Sequence, residues 1–179
     1  MGLGRRLASF VIALSALSAS SVALAQTQIA TPPAVQELAG QHPAEYYKRA
    51  GELLQAGQND EAVFVFYLGQ LRYRTFLLAN PASDPNAHPN ADPTLFATLS
   101  QVTGKPINQY AFGDIPALAR TIDAVLAYDT ANPDTFGTTA ASAASHASVR
   151  DGLVAMKTKM LADADRIKGD RAKKGLENR

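Results

Sequence analysis

The chain has 179 residues, with 17 Lys and Arg against 16 Asp and Glu, and no cysteine. A balance this close to neutral excludes the broad basic surface that nucleic acid or an anionic membrane requires. The lack of thiols excludes disulfides, cysteine catalysis and thiolate metal sites, so packing alone must hold the fold.

Arg5 and Arg6 form a short basic start, residues 7–22 are apolar and rich in small side chains, and Ala23-Leu24-Ala25 follows the small-x-small rule. This is the pattern of a secretory signal peptide cleaved after Ala25, leaving Gln26 as the first mature residue. Ser15, Ser18, Ser20 and Ser21 interrupt the apolar run and no basic stop follows it, which argues against a stable membrane anchor. No cysteine follows either, so there is no thiol for a lipid to acylate. The expected location is the bacterial periplasm, with release to the medium as the second choice. Without Arg5 and Arg6, acidic residues exceed basic ones by one. The mature chain has the length of one ordinary domain.

Residues 26–41, with Thr31-Pro32-Pro33, read as a flexible leader, and the helical domain is expected over 42–175. His42-Pro43 opens the first helix, on which Tyr46, Tyr47, Ala50, Leu53 and Leu54 recur at helical spacing. Gly57 suits the left-handed residue that ends a helix. Asn59 is the expected cap of a second helix over about 60–79, stopped by Asn80-Pro81. After a proline-punctuated loop, Asp92-Pro93 opens a short helix with Leu95, Leu99 and Val102 expected inward, ended by Gly104 and Pro106. The stretch KPINQYAFGD reads as an irregular connection. Asp114 caps a helix with Ile115, Leu118, Ile122, Val125 and Leu126 on one stripe. Residues 131–147 read as a low-complexity loop. Ser148 and Asp151 resemble a capping box for the last helix, whose stripe is Val149, Leu153, Met156, Met160 and Ile167. No segment alternates with period two, so the predicted fold is all-α, a bundle of about five helices around a buried central one.

That central helix is the second. At 100° per residue, Phe64, Phe66, Leu68 and Phe76 point in different directions, as in a helix buried on every side. Gln70, Arg72 and Arg74 near its middle argue against a membrane span, since an arginine there costs roughly 2.5–3.5 kcal/mol. Gln70 and Arg74 share a face with Val63 and Tyr67, and Arg72 points the other way. Arg72 and Arg74 are each expected to find a carboxylate on a neighbouring helix, with Asp114 and Asp123 as partners. The functional alternative is a pocket lined by Tyr67, Gln70 and Arg74 that takes a carboxylate or a partner's side chain.

The segment PAEYYKRAGELLQAGQNDEAVFVFYLGQLRYR, residues 43–74, resembles a single tetratricopeptide-type helix hairpin. Tyr46, Ala50 and Leu53 stand for the large, small and large residues of the first helix, and Ala62, Phe66 and Gly69 for those of the second. Arg49 departs from the usual leucine, no proline ends the pair, and no second copy follows. The resemblance implies close helix packing and, by family habit, protein or peptide binding.

Motifs that name a reaction are not found. His42, His88 and His146 read as loop or helix-start residues without an i, i+4 mate, so no metal site is expected and no cofactor is implied. DPNAHPNADP alternates oxygen-bearing residues, but it lacks the glycine and closing glutamate of a calcium loop and reads as a duplicated turn. Asp114 and Asp123 are nine positions apart and fall on opposite sides of one helix, and Glu52 and Glu61 are further acids with no spacing to link them. Asn108 and Tyr110, in the stretch before Gly113, either dock on the bundle or face a ligand. The expected function is a non-enzymatic periplasmic helical binding protein for a protein or peptide, with an inhibitor or immunity type as its specific form and Tyr67, Gln70, Arg74, Asn108 and Tyr110 as binding residues. The alternatives are a small-ligand carrier with a pocket around Arg74, or a cell-wall-directed hydrolase using carboxylates the sequence does not locate.

Overall fold

A computed structural model describes residues 29–81 and 92–179. The expected signal peptide and residues 84–91 of the calcium-like stretch, His88 among them, lie outside the described residues. The helices, in chain order, are α1 (Ala34–Glu37), α2 (Pro43–Gln55), α3 (Asn59–Ala79), α4 (Asp92–Leu99), α5 (Lys105–Ala111), α6 (Ile115–Ala131), α7 (Ser142–Ala162) and α8 (Ala164–Lys173), with a π-helical turn, Ser100–Gly104, joining α4 to α5. No strand occurs among the described residues. The all-α bundle around a central helix is therefore what the chain forms.

α3 is that centre. Every residue from Ala62 to Gly69 is buried, as are Leu71, Arg72 and Tyr73, and α2, α5, α6 and α7 pack around it. A helix with apolar residues on all faces is stable only where neighbours cover all of them. α2 lies against α3 through the Tyr46–Gly69 contact: a Cβ at Gly69 would stand 2.4 Å from Tyr46 Cβ. The hairpin turn places Gly57 at φ 76°, where a side chain would be strained.

Local signals act as expected at several points. His42 Nδ1 accepts from the Ala44 N–H at 3.1 Å, and Asp114 accepts from Ala117 N–H at 2.9 Å, each at the start of its helix. Ile115, Leu118, Ile122, Val125 and Leu126 are all buried on α6. α3 ends at Ala79, before Asn80-Pro81.

Four expectations are corrected. The segment 26–41 holds α1, whose Val35 is fully buried and whose following Leu38 joins the core. Its carbonyl accepts the Tyr46 hydroxyl at 2.7 Å, which ties the segment to α2. The stretch from Lys105 is α5, not an irregular connection. Pro106 lies in the first turn of α5, where an absent N–H costs little, and the preceding π turn carries the backbone past it. The same turn leaves Val102 70% exposed, and Ile107 is the residue buried instead. Finally, the expected loop 131–147 becomes helical at Ser142, so Ser148 and Asp151 lie inside α7 and form no cap. Alanine-rich sequence favours helix there, and contacts made by His146, described below, hold that turn on α6.

Candidate functional site

α3, α4 and α7 leave a groove of about 570 Å³ between them. Leu71, Leu77, Phe96, Val149, Leu153 and Met156 make its walls apolar, and Leu78 at its rim is 57% exposed. Gln70 and Arg74 also line it, one turn apart on α3. Arg74 lies with its guanidinium carbon 5.7 Å from the centre of the Phe96 ring and makes no ion pair among the described residues. The expectation that a carboxylate on a neighbouring helix neutralises Arg74 is thus not met. α4 is set as a wall of this groove by Asp92, whose carboxylate receives His42 Nε2 at 2.9 Å and the Tyr73 hydroxyl at 3.0 Å.

The other expected site residues go elsewhere. The Tyr67 hydroxyl donates to Asn108 Oδ1 at 2.9 Å, joining α3 to α5 in a largely buried contact. Burial raises the Tyr67 hydroxyl well above the ordinary tyrosine range. Tyr110 donates to Asp60 Oδ1 at 2.8 Å, and the Arg179 guanidinium lies 3.5 Å from its ring centre. Of the five residues, Gln70 and Arg74 share this groove, and Tyr67, Asn108 and Tyr110 do not line it.

Arg72 is 3% exposed and does point away from that groove. Its partners are not Asp114, which caps α6, nor Asp123, which pairs with Lys157. Arg72 donates instead to the Tyr46 hydroxyl and, at 2.7 Å, to the Asn132 carbonyl. The carboxylates nearest to it are Asp129 at 3.9 Å and Asp134 at 4.0 Å. Burial pushes the Tyr46 hydroxyl up to about 12, against the opposing pull of Arg72.

Asp129 is the hub that sequence reasoning missed. It is 1% exposed, and its Oδ2 receives His146 Nε2 at 2.7 Å and Arg150 at 2.8 Å. His146 and Arg150 stand one turn apart on α7, so α7 is fastened to α6 through one buried carboxylate. A second cavity of about 600 Å³ opens beside this cluster, walled by Phe76, Pro133 and Phe136. The usable sequence signal was His146 and Arg150 at i, i+4, but reading 131–147 as loop concealed it.

No protein family, curated protein or solved structure is matched by the chain. Among the described residues no group of three His, Asp or Glu is arranged to hold a metal ion, and no helix is long and apolar enough to cross a membrane.

Proposed function

We propose that the protein is an exported, non-enzymatic binding protein of the bacterial periplasm. Its α3–α4–α7 groove takes a peptide segment of a partner protein, one presenting a large apolar side chain beside a carboxylate. The observation that carries this reading is Arg74: a guanidinium without an ion pair among the described residues, at the edge of a groove that is otherwise apolar. A carboxylate arriving there forms a charge-assisted pair, and the apolar group beside it gains by burial. Leu78 supports a macromolecular partner, because it extends the apolar lining out onto the surface, where a larger body can cover it. An inhibitor or immunity-type role is the specific form proposed.

The groove volume favours one second reading. About 570 Å³ lies within the range of small-ligand sites, so a carrier of an apolar carboxylic acid uses the same Arg74.

The test is fluorescence anisotropy with labelled short peptides ending in Leu or Phe, as free acids and as C-terminal amides, alongside a fluorescent fatty acid. The free-acid peptides are expected to bind wild type, with at least tenfold loss on amidation or on Arg74→Ala, at unchanged thermal stability. Binding of the fatty acid alone favours the carrier. Binding of neither, or equal binding by Arg74→Ala, rejects the groove as the site. For export, the mass of the protein recovered from the periplasmic fraction is expected to begin at Gln26. Retention of residues 1–25 overturns the proposed cleavage.

A further inference from the structure

The cavity beside Asp129 is separate from the Arg74 groove, and its chemistry is different. Phe76, Phe136 and Pro133 form an apolar wall on one side. The loop that carries this wall is pinned. Asn80 donates to the Gly137 carbonyl at 3.2 Å, and Phe136 packs edge-on against His42 at 4.9 Å between ring centres. Gly137 has φ 54°, and a Cβ there would stand 2.6 Å from the Phe76 ring.

The cavity also bears charges of both signs, and one of them, Asp134, lies on the same loop as the apolar wall and accepts the Phe136 N–H at 3.3 Å. Arg150 spends one terminal nitrogen on Asp129 and the Leu126 carbonyl, and its other N–H groups have no partner among the described residues. Asp134 and Asp151 also line the cavity, the first 4.0 Å from Arg72 and the second outside every ion pair of the described residues. His146 directs Nε2 to Asp129, which leaves Nδ1 free of that bond. A simple anion meets Arg150 but also two carboxylates. A simple cation meets those carboxylates but also Arg150. A ligand carrying both charges can pair with both.

We propose that this cavity binds a free α-amino acid with a large apolar side chain. Arg150 takes the carboxylate, Asp134 and Asp151 take the ammonium group, and the side chain lies against Phe76 and Phe136. The volume of about 600 Å³ admits such a ligand with its first water molecules. This site is independent of the peptide groove, and Arg74→Ala is expected to leave it unaffected.

The test is calorimetric titration of the mature protein with phenylalanine, leucine, 3-phenylpropionate and phenethylamine. Phenylalanine and leucine are expected to bind. Removing the ammonium group (3-phenylpropionate) or the carboxylate (phenethylamine) is expected to weaken binding at least tenfold, about the contribution of one charge-assisted hydrogen bond. Asp151→Asn, on an exposed side chain, is expected to weaken phenylalanine several-fold and leave 3-phenylpropionate unchanged. The proposal is overturned if phenylalanine gives no binding at millimolar concentration, or if either one-charge analogue binds as tightly. Unchanged phenylalanine affinity in Asp151→Asn also overturns it, by removing the ammonium half of the site.

Discussion

Arg72 Nε and Asp129 Oδ1 stand 3.9 Å apart in the core, and neither atom has a hydrogen-bond partner among the described residues. The pair is held by charge, with Tyr46, Asn132, His146 and Arg150 supplying the hydrogen bonds around it. Removing one member of a buried pair leaves the other charge uncompensated. Asp129→Asn is expected to destabilise the fold by about 3–5 kcal/mol, read from urea unfolding midpoints. Asp123→Asn, at the exposed Lys157 pair, is expected to cost no more than about 1 kcal/mol.

The α2–α3 contact predicts a second loss. A methyl group at Gly69 meets Tyr46 Cβ at 2.4 Å, and that atom sits at the root of a buried side chain that cannot swing away. Gly69→Ala gains helix propensity, but overpacking of this kind costs about 1–3 kcal/mol. Net destabilisation in thermal unfolding is expected. An increase in stability would mean that the two helices separate easily.

Alkaline pH probes the burial of the two adjacent tyrosines of α2. Burial raises both Tyr46 and Tyr47 to about 12 from the ordinary 10.0. The unfolded chain gives up these protons first, so the native state binds more protons between the two values. Stability is then fully present below pH 10 and falls as pH rises toward 12, by about 1.4 kcal/mol per pH unit for each tyrosine, and Tyr67 and Tyr73, also raised by burial, add to the slope. Urea titrations across this window, paired with tyrosinate absorbance, measure the slope. A flat profile would refute the burial of both hydroxyls.

Asn108→Ala separates a structural residue from a binding one. It leaves the Tyr67 hydroxyl without its partner, at an expected cost of about 1–3 kcal/mol. Arg74→Ala removes an exposed side chain with no ion pair among the described residues, and its expected effect on stability lies within about 0.5 kcal/mol. Chemical denaturation of the two variants side by side gives the comparison.

The elements legible in the sequence are those whose cause is local. Asp114 caps the helix that begins one residue later, Gly57 supplies the turn it occupies, and the α6 stripe repeats within its own length. The all-round apolar character of α3 likewise announced burial before any neighbour was known. What stayed hidden depends on distant partners. Nothing near Arg72 in the chain points to Asn132 or Asp129, and Tyr67 finds Asn108 only because α5 continues through Pro106. The site divides in the same way. Gln70 and Arg74 were recognisable as one face of one helix, whereas His146 and Arg150 acquire meaning only once α6 brings Asp129 beneath them.

The π turn at Ser100–Gly104 also bears on how this chain can change length. A π turn closes on i→i+5 bonds and so holds one residue more than the α turn it replaces. Deleting a residue within α4 would rotate everything beyond it by about 100°, turning Ile107 and Asn108 away from the core and from Tyr67. Deleting one inside the π turn would let that turn relax to α geometry, with the faces on either side kept in register. Gly104, where a Cβ would stand 2.9 Å from the Phe66 ring, is the member of the turn that such a shortening must spare. The helix thus carries a one-residue slack, confined to a single turn, in an otherwise tightly registered bundle.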